Sequence, residues 1–422
     1  MKNDWEIKKL GEVCEINIGR TPERGNFKMW DKEKKTENVW LSIADLNNTE
    51  NGYISDSTEY VSDNAVPKMK LVKANTLLMS FKLTIGRCAI TKRDLFTNEA
   101  IAALPILDKN LDLFFLKYYL ENFDWAKLTE GDVKVKGKTL NKEKLKEVPI
   151  TIPPLEEQKR IVKILDEKFA MLETVKANAK ANLQNAKDLF QSQLTKAFME
   201  ESNPSTCEAG VSSLQNSHLP QHALKWEKKR LGDCTSIIGD GLHGTPKYDE
   251  NGNYYFINGS NLTITDIVFT PETKRVNETE YQKYKVELNE NTVFLSINGS
   301  TLGKRTAFYN NEPVILGKSA CYINVKSNTL NKYFLRHFLS SDIFQEYAWK
   351  EKTGAAIPNL GLKAMRDLKI PLPPLSEQKL IVEQLDSLSE KTKALQDIYK
   401  KILLDCDEVK QAFLQKAFEG EL

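Results

Sequence analysis

At 422 residues, 41% hydrophobic and 28% charged, the chain is too long for one ordinary core, and its composition is that of a soluble globular protein of two or three units. A net charge of +2 excludes a protein that holds DNA by bulk charge alone, and no run of about 18 apolar residues is present to span a membrane. The start, Met1-Lys2-Asn3-Asp4-Trp5, lacks the apolar core of a signal peptide, so a cytoplasmic location without membrane contact is expected. Six cysteines stand singly, with no C-x-x-C pair and only four histidines in the chain. That spacing reads as reduced thiols, and no metal site is expected.

Taken in order, residues 1–152 form the first unit. It opens with Trp5-Glu6 and Leu10-Gly11 and carries a glycine loop ending in Thr-Pro, Gly19-Arg20-Thr21-Pro22. The apolar, strand-like run Leu77-Leu78-Met79-Ser80 leads to a second loop at Ile85-Gly86-Arg87. A helical patch over 113–122, a polar loop and a short strand complete the unit. Within that loop, residues 133–138 alternate apolar and basic, so as a strand they would place Lys134, Lys136 and Lys138 on one face.

Residues 153–200 are predicted to be one long helix. Pro153-Pro154 punctuates the change from strand to helix, Glu156-Glu157 favours the first turn through the helix dipole, and no Gly or Pro interrupts the run as far as Ala197-Phe198. Apolar or small residues at Ile161, Leu165, Leu172, Val175, Ala179, Ala186, Leu189 and Ala197 follow the alternating steps of four and three that mark a coiled-coil seam. Such a helix of about 40 residues reaches ~60 Å. Residues 201–224, rich in Ser, Asn and Pro, read as a flexible linker.

The second half repeats the plan. Residues 225–372 start with Trp226-Glu227 and Leu231-Gly232, carry Gly239-Asp240-Gly241-Leu242-His243-Gly244-Thr245-Pro246, and pass from Val293-Phe294-Leu295-Ser296 to Leu302-Gly303-Lys304. Residues 373–422 then return the long helix: Pro373-Pro374-Leu375-Ser376-Glu377-Gln378-Lys379 matches Pro153-Pro154-Leu155-Glu156-Glu157-Gln158-Lys159 at an offset of 220 with no gap. Its seam runs through Ile381, Leu385, Leu388, Thr392, Leu395, Tyr399, Ile402, Cys406, Val409, Phe413 and Ala417. Duplication at this distance implies internal pseudo-twofold symmetry. The expected fold is therefore α+β, two sibling domains each followed by a long helix, the helices pairing antiparallel within the chain. Helices that serve only their own domain, or that pair between molecules, are the alternatives.

The loops carry groups suited to DNA. In the first unit these are Arg20, Thr21, Arg24 and Lys28, then Arg87 and Lys92, then Lys134, Lys136 and Lys138; in the second they are His243, Thr245, Lys247, Asn298, Lys304, Arg305 and Lys318. Arginine reads guanine and asparagine reads adenine, while lysine more often holds phosphate. Any one of these residues could equally be a solvated charge; only the clusters carry weight. Catalytic signatures are absent. Gly317-Lys318-Ser319 lacks the glycine that a phosphate-binding loop needs at position 312, which is Glu312, and no metalloprotease, nucleophile-elbow or dinucleotide motif occurs. No Asn/Asp-Pro-Pro-aromatic string of the adenine methyltransferase kind occurs either.

The order domain, Pro-Pro-Leu-x-Glu-Gln-Lys helix, domain, Pro-Pro-Leu-x-Glu-Gln-Lys helix resembles the specificity subunit of type I restriction-modification systems over essentially the whole chain. The closing Leu-x-Lys-Ala-Phe at 194–198 and 414–418 belongs to the same pattern, and Thr353-Gly354-Ala355-Ala356-Ile357-Pro358-Asn359-Leu360 looks like the loop that ends a target recognition domain, adding Thr353 and Asn359 to the candidates. The first unit departs there, with Glu130-Gly131-Asp132-Val133 and no proline.

The resemblance implies a non-catalytic reader of double-stranded DNA in which each domain recognises one half of a bipartite, asymmetric site. It implies that the coiled coil sets the spacer and docks two modification subunits, with Glu157, Gln158, Lys159, Glu377, Gln378 and Lys379 as partner-facing residues. S-adenosylmethionine would be bound by those subunits, and ATP and Mg²⁺ by restriction or motor subunits. A protein-binding scaffold and an enzyme with an unrecognised site are the competing classes. Charge reversal of the loop arginines separates the first from a DNA reader, and turnover by the chain alone would identify the second.

Overall fold

A computed structural model describes residues 4–49, 52–129, 133–134, 137–138, 140–199, 226–354 and 356–422, with the backbone alone at 127, 129, 133, 134, 137 and 138. The linker expected at 201–224 lies outside the described residues. The chain divides into two compact units, one of residues 1–180 with 401–422 and the other of residues 181–400.

In the first unit, the runs Leu77–Ser80, Cys88–Thr91 and Ile101–Leu104 are buried along their whole length, as expected of central strands covered on both faces. They form a five-stranded sheet in the order Asn17–Ile18, Ile101–Leu104, Leu77–Ser80, Cys88–Thr91, Tyr53–Ile54. A three-stranded sheet has Val39–Leu41 in its centre, parallel to Phe96–Thr97 and antiparallel to Glu59–Tyr60. The helix Leu113–Asn122 starts at Asp112, whose carboxylate accepts from the N–H groups of Phe114 and Phe115 at 2.9 Å.

The second unit repeats this plan. Its four-stranded sheet runs Thr235–Asp240, Ala320–Val325, Thr292–Ser296, Thr306–Phe308, and its three-stranded sheet centres on Tyr254–Ile257, parallel to Val314–Leu316 and antiparallel to Arg275–Val276. Asn331 caps the helix Lys332–Leu339 as Asp112 caps its counterpart. Each unit is closed by a two-stranded ribbon that leads into a Pro-Pro step: Glu6–Lys9 with Pro149–Ile152, and Glu227–Arg230 with Lys369–Leu372.

The long helices are Leu155–Phe198, of 44 residues, and Leu375–Glu419, of 45. Their pairing is antiparallel and within the chain. In the first unit Arg160 donates to the Leu422 carbonyl at 2.6 Å, while Lys176, further along the same helix, meets Asp407 at 2.5 Å. Ile161 and Leu165 join a core that contains Leu414, Ala417 and Phe115; in the second unit Leu194 and Phe198 join Ile381, Val382, Leu385 and Phe334. The seam is narrower than its apolar spacing implied. Ala179, Ala186, Thr392 and Cys406 are buried, whereas Val175, Leu189, Leu395 and Val409 are exposed, because a helix pair covers only a thin stripe of each member.

The first turn of each helix is fixed in the same way. The Gln158 amide donates to the carbonyls of Asn110 and Pro153 at 2.8 Å and accepts the Asp112 N–H at 2.8 Å. Gln378 donates to Thr329 at 3.0 Å and Pro373 at 2.8 Å and accepts the Asn331 N–H at 2.8 Å. Both side chains are fully buried (0% exposed). The expectation that these two glutamines face partner subunits is therefore corrected: their hydrogen bonds are spent inside their own units. Their neighbours Lys159 and Lys379 are exposed, Lys159 pairing with Glu156 and Glu157 with Arg160.

Candidate nucleic-acid interface

The first loop of each unit is shaped by a close approach. A Cβ at Gly19 would lie 2.1 Å from the Thr97 carbonyl oxygen, and one at Gly241 would lie 2.0 Å from that of Leu316, so only glycine fits. The next residue then donates its N–H to that same oxygen, Arg20 to Thr97 at 2.8 Å and Leu242 to Leu316 at 2.7 Å. This ties the loop to the end of a strand in the three-stranded sheet.

A second loop is tied to the same edge. In the first unit the Phe81 N–H donates to Ala100 at 3.0 Å and Leu140 donates to Phe81 at 3.0 Å; in the second, Ile297 donates to Ser319 at 3.1 Å and Leu360 to Ile297 at 2.9 Å. Residues 19–21, 80–87, 97–100 and 140 thus make one rim, and residues 241–243, 296–305, 317–319, 353–354 and 356–360 make its counterpart.

The candidates divide accordingly. On the first rim stand Arg20, whose guanidinium donates to the Lys68 carbonyl at 3.5 Å, Thr21, whose hydroxyl donates to Glu99, and Arg87, which donates to the Asn47 side chain. Lys92 stands at the other end of the strand Cys88–Thr91, over the Tyr53 ring, and not beside Arg87. Arg24 is committed to structure: it pairs with Glu59 and stacks at 4.2 Å on Trp30 and 4.8 Å on Trp40. It lines a recess of about 350 Å³ with Phe27, Trp30, Glu59 and Tyr60. Lys28 is exposed on the neighbouring turn Phe27–Met29.

The segment expected to be a single basic strand folds back instead, Val133 pairing with Lys138 and Lys134 with Gly137. Lys134 and Lys138 are on opposite arms of that ribbon, and Lys136 lies outside the described residues.

On the second rim His243 meets Asp240 at 2.6 Å, and the exposed Lys318 donates its N–H to Leu242 at 3.1 Å. The Asn298 amide approaches that of Asn359 at 3.4 Å, and Asn359 pairs through its backbone with Thr353, 2.8 Å in both directions. Lys304 is exposed, and Arg305 donates to the Ser260 carbonyl at 2.7 Å. Thr245 is exposed, and Lys247 is drawn by its N–H to the carboxylate of Glu280, 3.0 Å away.

Sequence reasoning passed over Ser80 and Ser296. Both are buried, and each hydroxyl accepts an arginine N–H at 3.2 Å, from Arg87 and from Arg305. Arg305, and not Lys304, is thus the partner of Arg87. The signal was available in the matching ends of Leu-Leu-Met-Ser and Val-Phe-Leu-Ser.

The five described cysteines are buried and unbridged, and burial pushes the Cys14 thiol up to about 12. Among the described residues no helix is long and apolar enough to cross a membrane.

Comparison with known proteins agrees with this architecture. The family model described as the type I restriction modification DNA specificity domain matches twice, over residues 2–185 and 224–404. The MjaIX specificity subunit of Methanocaldococcus jannaschii is 26% identical, the match covering 99% of this chain and 94% of that protein; the MjaVIII specificity subunit of the same organism is 24% identical over 91% and 86%. Among solved structures, a chain from a study of assembly and conformational transition of the type I R-M system superposes with a TM-score of 0.73 at 19% identity, covering 100% of this chain and 99% of that one. The HsdS subunit of Thermoanaerobacter tengcongensis gives 0.58 at 18%, covering 100% and 98%. Two recognition domains with matching rims, each joined to its own long helix, are thus those of a chain that belongs to the type I restriction-modification DNA specificity family.

Proposed function

We propose that each unit reads one half of a bipartite, asymmetric site on double-stranded DNA. The observation that carries this reading is the duplicated rim: the same glycine approach and the same serine-pinned arginine recur in both units, while the other exposed side chains differ. A common frame with different reading groups suits two different half-sites. The paired helices, each contributing to both units, act as the spacer ruler and as the dock for two modification subunits, with Glu157, Lys159, Glu377 and Lys379 in the docking region. Those subunits supply S-adenosylmethionine and methylate an extruded adenine; restriction subunits supply ATP- and Mg²⁺-dependent cleavage.

The test is an exchange. Replacing residues 1–152 by the same segment of a relative, assembling the complex and mapping methylated adenines by single-molecule sequencing should change one half of the site and leave the other half and the spacer intact. A change in both halves, or in neither, overturns the reading. Inserting one heptad at matched positions in both helices should lengthen the spacer.

A further inference from the structure

A chain that carries two readers carries its own control. What two different half-sites share is the sugar–phosphate backbone, and what they do not share is base sequence. A side chain that recurs in one register of both rims therefore serves the shared feature.

From this comparison, and resting on the DNA-reading role proposed above, we infer that Arg87 and Arg305 are the phosphate-holding residues of the two readers, one for each half-site, and that base reading falls to the turns that precede them.

The two arginines are set by the same hydrogen bonds. The Ser80 N–H donates to the Arg87 carbonyl at 2.9 Å and the Arg87 N–H returns to the Ser80 hydroxyl at 3.2 Å; Ser296 and Arg305 repeat both bonds at 2.9 and 3.2 Å. A glycine of each turn is tied to the same serine as well, Gly86 to the Ser80 carbonyl at 2.9 Å and Gly303 to the Ser296 carbonyl at 2.7 Å. Yet six residues separate the first serine from its arginine and eight separate the second. Two extra residues are absorbed within the turn, and the arginine keeps its register.

Among the described residues, neither forms an ion pair with a carboxylate. Arg20, Arg275 and Arg366 hold neutral oxygens, while Arg24, Arg93, Arg160, Arg230 and Arg336 each meet a carboxylate. Arg87 and Arg305 also donate to neutral oxygens, the Asn47 side chain and the Ser260 carbonyl, each on the short 3-10 turn after the central strand of the smaller sheet, Ile43–Asn47 or Gly259–Asn261. One tether orients the guanidinium, and its other donors remain for a phosphate. A base-reading arginine at this register in both units would impose the same base on both half-sites. The turns themselves present different groups: Lys82, Leu83 and Thr84 in one, Asn298, Ser300 and Lys304 in the other.

The experiment uses the full-length chain assembled with its modification subunits. Fluorescence anisotropy follows binding to a cognate duplex and to one with both half-sites scrambled, across a salt series. Arg87→Ala and Arg305→Ala should each weaken binding to both duplexes by a similar factor, about tenfold, and lower the slope of log affinity against log salt by about one. The methylated sequence should stay the same. Arg87→Lys and Arg305→Lys should recover most of the slope, because lysine also neutralises a phosphate. If an alanine variant changes which bases its half-site requires, or the lysine variant fails as badly as alanine, the arginine reads a base and the inference falls while the DNA-reading role stands. If no variant alters affinity or slope, the rims do not touch DNA and the proposed function falls with the inference.

Discussion

The first unit holds Asp166 of its long helix with one phenol, the Tyr118 hydroxyl at 2.5 Å, while the second holds the corresponding Asp386 with Arg336 at 2.9 Å and His337 Nε2 at 2.8 Å. One repeat carboxylate thus has two chemistries at its docking point. The glutamine two turns earlier has a single chemistry in both units, because it binds main-chain groups. Contacts between side chains have been rebuilt as the units diverged, and contacts from side chain to backbone have stayed. The electrostatic consequence differs too. Burial, reinforced by the neighbouring Arg336 charge, lowers the His337 pKa to about 4 despite the opposing Asp386, and lowers that of Arg336; burial raises the Tyr118 hydroxyl, with Asp166 adding to the rise.

The comparison can be broken most forcefully at the glutamines. Gln158→Ala should strand two buried carbonyls and one N–H and weaken the first unit by roughly 3 to 5 kcal/mol while leaving the second unit's protection unchanged, and Gln378→Ala should do the reverse. Hydrogen exchange resolved by unit measures this. Equal loss in both units would mean that the socket is not local.

The glycine approaches come next. Gly19→Ala or Gly241→Ala must push its loop off the strand carbonyl, at about 2 kcal/mol or more, and should degrade recognition of only one half-site, read by methylation mapping.

Acid should separate the units further. His337 releases its proton near 4 when folded and near 6.5 when unfolded, so between those values the unfolded chain holds the extra proton and stability falls as the pH is lowered. Urea unfolding followed by hydrogen exchange should find the second unit weaker by about 2 kcal/mol at pH 5 than at pH 7. His337→Tyr, which copies the first unit, should flatten that dependence.

The smallest effect concerns a charge difference between the rims, where Glu99 and Lys318 stand at matching places beside the parallel strand ends. Glu99→Lys should tighten DNA binding several-fold and steepen its salt dependence without changing the site methylated.

The duplicated plan was legible because helical spacing, a Pro-Pro stop and an exact offset are properties of the string itself. The antiparallel pairing followed from connection length, and Arg160 beside Leu422 bears it out. Burial was less legible. Gln158 stands among Glu156, Glu157 and Lys159, which reads as a solvated first turn, yet it points at the backbone of residues 110–112. The site was legible as loops and not as pairs, since the two-residue difference between the turns disguises Arg305 as the neighbour of the true match. Arg24 looked like a reader because its clamp, Glu59 and two tryptophans, comes from residues up to 35 positions away.

The glutamine grips have a consequence for inheritance. Because the amide touches only peptide groups, it is blind to which side chains adorn the part it holds. Any replacement module that presents the same bend of main chain can be clipped onto the rod, so, under the proposed reading role, a new target preference can arise in a single genetic event without re-engineering the joint.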